Sequence, residues 1–71
     1  MPMQTLRTAV AEYDDGSEGV IEVRKLTPHK GEAFMTIASN MGNDSIVIGT
    51  LEQAHQLATA IRSAAKEIWE A

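Results

Sequence analysis

Over the first two thirds of the chain, apolar residues recur at every second position. Leu6, Thr8 and Val10 alternate with Arg7, Ala9 and Ala11, the period at which a strand turns successive side chains to opposite faces. This predicts a first strand over about 5–13. Ile21 and Val23, set against Glu22 and Arg24, predict a second over about 20–27. Phe34, Met35, Ile37 and Ala38 place a third at about 32–39, and Ser45-Ile46-Val47-Ile48 forms a short fourth. Between them stand Asp14-Asp15-Gly16-Ser17-Glu18-Gly19, Pro28-His29-Lys30-Gly31 and Asn40-Met41-Gly42-Asn43-Asp44. These clusters are rich in residues that accept positive φ or hydrogen-bond their own backbone. Links this short force neighbouring strands to run antiparallel, so the simplest spatial order is the order in sequence.

After Gly49 the period changes from 2 to 3.6. Leu51, Ala54, Leu57, Ala58, Ile61, Ala64, Ala65, Ile68 and Trp69 fall within one arc of about 140° on a helical wheel, and Glu52, Gln53, His55, Gln56, Thr59, Arg62, Ser63, Lys66, Glu67 and Glu70 fill the rest. Thr50 stands where an N-cap belongs, and Gln53 three residues on completes a capping-box pattern. The fold class that follows is α+β: a four-stranded antiparallel meander followed by one C-terminal amphipathic helix packed on one sheet face, in a single domain spanning 1–71.

One helix covers one face of such a sheet, yet apolar residues occur on both. Phe34 and Ala38 point opposite to Met35 and Ile37, and Ile46 and Ile48 opposite to Val47. In the order 1-2-3-4 the fourth strand is an edge, and an uninterrupted Ile46-Val47-Ile48 edge invites association unless something covers it. A second subunit or partner is therefore expected over Phe34, Ile46, Val47, Ile48 and Trp69. Trp69, at the margin of the helical stripe beside Arg62 and Lys66, has two readings. In the core it clamps the end of the sheet; at an interface it is the residue type most enriched in binding hot spots. The core reading is the simpler one.

Length sharpens this expectation. Seventy-one residues suffice for one domain, and a domain of that size buries only about 60% of the surface its unfolded chain exposes. Small domains make up the difference with disulfides, a metal or a partner chain. The chain has no cysteine, which removes disulfides, thiolate zinc sites, iron–sulfur clusters and a cysteine nucleophile. Its two histidines, His29 and His55, lie far apart, so no structural metal is expected. Association with itself, as a homodimer, is the supplement left. There is no apolar run of signal-peptide length and none near the roughly 20 residues that span a bilayer, so a cytoplasmic setting without membrane contact is expected.

Candidate chemistry is sparse. Glu12, Asp14, Asp15 and Glu18 form the densest carboxylate cluster, but their spacing is not that of an EF-hand calcium loop. The reading taken is a solvated hairpin turn, with a carboxylate-rich tip for a basic surface as its functional alternative. The serines lack a glycine-bounded nucleophile elbow, and the glycines match neither phosphate-binding spacing. No enzyme activity, cofactor or small-molecule substrate is expected.

Arg7, Arg24, Lys25 and Lys30, with Tyr13 or Phe34, supply the basic and aromatic groups of a single-strand nucleic-acid platform. Four strands followed by a helix is also an order similar to that of the transcriptional-coactivator and Whirly class, and that resemblance implies single-strand binding. Ten acidic against six basic residues, a net charge of −4, oppose it. Nucleic acid is thus the second expectation. The first is a non-enzymatic, self-associating protein-binding module that regulates or inhibits a larger protein complex. Compact acidic proteins of that class include phage-encoded inhibitors such as anti-CRISPR proteins. A third is an accessory subunit of an enzyme.

Overall fold

The computed structural model describes residues 3–40, 42 and 44–70. Four strands, β1 (Met3–Glu12), β2 (Glu18–Leu26), β3 (Phe34–Ser39) and β4 (Ser45–Ile48), precede a single helix, α1 (Leu51–Trp69). They form one antiparallel sheet in the order β1-β2-β3-β4, the ββββα arrangement that the hydrophobic periods predict. Boundaries differ by a few residues: β1 and β2 each begin about two residues earlier than the alternation suggests, and β3 begins two later. The turn expected at 40–44 lies partly outside the described residues.

The first hairpin closes through its own backbone. Tyr13 N–H donates to the Ser17 carbonyl (2.9 Å) and Gly16 N–H to the Tyr13 carbonyl (2.8 Å). Gly16 takes φ +85°, the left-handed conformation that completes a three-residue loop of this kind and that glycine adopts at least cost. Gly19 follows under the ring of Tyr13, where a Cβ would run into the aromatic edge. At the far side of β2, Asn40 caps the ladder: its N–H donates to the Val20 carbonyl (2.9 Å) and its Oδ1 accepts from Val20 N–H (2.9 Å).

Register sorts the side chains between two faces, because residues paired across strands point the same way. Ile21, Val23 and Lys25 pair with Ser39, Ile37 and Met35, which pair in turn with Ile46 (from Ile37) and Ile48 (from Met35). On β1 the same face carries Ala9, Arg7 and, past an irregularity at Leu6, Gln4. Apart from Gln4, Arg7, Lys25 and Ser39, this face is apolar. The opposite face carries Thr8, Thr5, Glu22, Arg24, Thr36 and Ala38 through its middle, with Val10, Val20, Leu26, Phe34 and Val47 around them. Apolar residues thus stand on both faces, as the sequence suggests, with the isoleucines gathered on the first.

The helix does not close over that face. It touches the sheet where it begins, with Leu51 and Ala54 near Leu6, Phe34, Met35 and Ile48, and none of its residues is buried. Ile61 is 61% exposed, Ile68 65% and Trp69 77%. The expected packing of the helix on its own sheet is therefore not made within one chain, and the core reading of Trp69 is corrected to that of an exposed residue. Among the described residues the buried apolar set is Ala38 and Ile48 alone. The shape agrees: the radius of gyration is 14.0 Å, against about 11 Å for a compact domain of this length.

Candidate protein interface

Two apolar surfaces meet at the junction of β4 and α1, and local chemistry fixes that junction. Thr50 is extended, at φ −137° and ψ 155°, and its hydroxyl accepts the Gln53 N–H at 3.1 Å, satisfying one of the donors that open a helix. The Gln53 side chain reaches back and accepts the N–H of Gly49 at 2.9 Å. Both linker residues are thereby tied to the first helical turn. The capping-box pattern anticipated this, except that Gln53 reaches one residue further than the cap itself. Phe34, half-buried, stands beside Gly49. Around them lies an open cleft of about 260 Å³, lined in part by Leu6, Phe34, Met35, Ile48, Leu51 and Ala54.

From this root the helix presents its stripe outward. Leu51 is 73% exposed, and Ile61, Ile68 and Trp69 continue the same side at helical spacing. Ala54, Leu57, Ala58 and Ala65 are partly shielded by their neighbours. The apolar sheet face is the second surface. Ile21, Val23, Met35 and Ile37 are half-buried there and Ile46 is exposed; a further cleft of about 240 Å³ opens along Ile21, Ile37, Ser45 and Ile46.

The expected interface residues are thus distributed. Ile46 and Val47 are exposed on opposite faces of the edge strand, Phe34 stands at the hinge, and Trp69 at the end of the helix, while Ile48 is already buried within the chain. Sequence reasoning missed the importance of Ile21, Val23 and Ile37 for this surface. Their signal was present in the alternation, but only the register shows that they align with Ile46 on one uncovered face.

The carboxylates Glu12, Asp14, Asp15 and Glu18 sit at the other end of the sheet, around the first hairpin, and are exposed. Asp15 serves the turn: its Oδ1 accepts from Ser17 N–H (2.9 Å) and Ser17 Oγ (2.6 Å). These bonds, the hydroxyl first, hold its carboxyl below the ordinary carboxylate range. Among the described residues no three metal-ligating side chains gather into a group.

The basic residues divide. Arg24 lies on the polar face, where its Nη2 donates to Glu22 Oε2 at 2.7 Å and its Nη1 lies 3.7 Å from Met3 Sδ. Glu22 also accepts from Thr5 Oγ1 at 3.0 Å; the Arg24 bond first and the Thr5 bond second push its carboxyl down. Arg7 and Lys25 stand on the opposite face, and Lys30 belongs to the β2–β3 loop. Phe34 shares Arg24's face, and Tyr13 covers Gly19 in the hairpin.

No known protein family, curated protein or solved structure matches the chain. No helix among the described residues is long and apolar enough to cross a membrane.

Proposed function

We propose that the chain is a non-enzymatic protein-binding module that completes its hydrophobic core on another polypeptide, and that it regulates a larger assembly by doing so. One observation carries this reading: a 19-residue amphipathic helix and an apolar sheet face stand side by side in one chain, and neither covers the other. A helix and a sheet each need an apolar partner layer, and contiguous exposed apolar surface marks sites of protein association. The division of Arg7, Arg24, Lys25 and Lys30 among two faces and a loop favours protein over single-stranded nucleic acid as the partner, and the net charge of −4 favours it too.

Small-angle X-ray scattering of the dilute chain tests the reading. A mass above one chain, or a monomer with a radius of gyration near 14.0 Å, supports an open binding surface. A monomer near 11 Å, the compact value for this length, means that the helix closes on its own sheet, and it overturns the reading.

A further inference from the structure

Resting on that reading, we infer that the polypeptide completing the core is a second copy of this chain, and that the two copies exchange helices, each α1 lying across the apolar face of the other's sheet. The first argument is complementarity. The helix offers Leu57, Ile61 and Ile68 among alanines that let its backbone approach closely, and the sheet face offers Ile21, Val23 and Ile37. Lengths agree as well. Nineteen helical residues extend about 28 Å, and the nine residues of β2 about 30 Å.

The second argument is the hinge. Gly49 and Thr50 are the whole connection between β4 and α1, and both are bonded to Gln53 at the helix root. The helix therefore leaves the sheet in a locally fixed direction, and none of its residues is buried against its own sheet. A short hinge carrying a whole element is the usual setting for reciprocal exchange, and a two-fold axis closes it so that each protomer gives and receives the same element.

Area is the third. The chain exposes 5843 Å², whereas a folded monomer of 7.7 kDa exposes about 4,300 Å². Two copies thus hold about 3,000 Å² of excess between them, within the range of obligate dimers, roughly 2,000–5,000 Å². Two chains of charge −4 repel one another, so apolar burial drives the association, and added salt strengthens it by screening.

The absence of cysteine makes a direct test available. Ile61→Cys places a thiol midway along the helix, and Ile37→Cys places one midway along β3. The two single variants are prepared with different mass tags, mixed, allowed to re-equilibrate and oxidised. Exchange predicts that the mixed 61–37 disulfide far exceeds half of the cross-linked product, the share random collision gives. Oxidation of the same mixture in denaturant should bring it back to that share. Sedimentation equilibrium of the unsubstituted chain accompanies this, so failure of a variant to fold leaves the inference open to contradiction. A two-chain mass with 61–61 cross-links, or with none between 61 and 37, replaces helix exchange by helix-to-helix or edge-to-edge pairing. A one-chain mass at high micromolar concentration with a radius of gyration near 14.0 Å overturns the second copy as occupant while leaving the protein-binding reading in place. A compact monomer overturns both.

Discussion

Asp15 and Glu22 show how single carboxylates work in this small sheet. Both are hydrogen-bonded in the folded chain, Asp15 to Ser17 and Glu22 to Arg24 and Thr5, and both titrate below their ordinary values near 4. The folded state then binds fewer protons than the unfolded state in that region, so stability rises with pH there. Their contribution is complete above the unfolded values and is lost as pH falls through the folded ones. Urea midpoints measured from about pH 6 down to about pH 3 should decline, and Asp15→Asn or Glu22→Gln should flatten the decline. An unchanged slope in both variants would show that these bonds do not persist in solution. Thr36 presents the opposite case. It is 4% exposed at the centre of β3, and its hydroxyl has no hydrogen-bond partner. A buried donor left unsatisfied costs about 1–3 kcal/mol, and valine has nearly the same shape with higher preference for a strand. Thr36→Val should therefore stabilise the chain by about 1 kcal/mol in chemical denaturation. A loss of stability would mean that the hydroxyl has a partner, water included.

At the scale of elements, the helix start is the best-determined local feature. Removing the side-chain acceptor at Thr50 by Thr50→Ala should cost roughly 0.5–2 kcal/mol. Circular dichroism should register it as fraying of α1, because two linker residues depend on that turn. Retained helicity and stability would contradict the role given to Thr50. This cap was legible in the sequence because it depends on residues within four positions of one another. The strands were legible for the same reason: a period of two needs only near neighbours. The irregularity at Leu6 was not, since it is defined by the pairing of Thr5 with Arg24 and Arg7 with Val23, contacts far apart in sequence. The face to which Ile21 and Ile46 belong in common is likewise a property of register. The helical stripe said that Ile61, Ile68 and Trp69 need covering; periodicity carries no information about which chain covers them.

The whole molecule is where sequence and structure part. A chain with Ala38 and Ile48 as its described buried apolar residues has little core of its own; in the proposed dimer folding and association would be coupled, and apparent stability should rise with concentration. Ile61→Ala illustrates the consequence. Were Ile61 in a monomer core, the change would cost roughly 2–5 kcal/mol at any concentration. On an exposed stripe that is buried only in the assembly, it should instead weaken association and remove most of the concentration dependence of the melting temperature. An equal loss at low and high micromolar concentration would place Ile61 in the chain's own core. If the chains pair as proposed, Trp69, the single tryptophan, should report the same event by fluorescence, with emission shifting to the red on dilution.

The central claim is that the apolar helix stripe and the apolar sheet face are buried between two copies of this chain. Sedimentation equilibrium from low to high micromolar concentration tests it most directly. The account predicts a species of twice 7.7 kDa that dissociates on dilution and is favoured by added salt. A mass of 7.7 kDa at every concentration would contradict it.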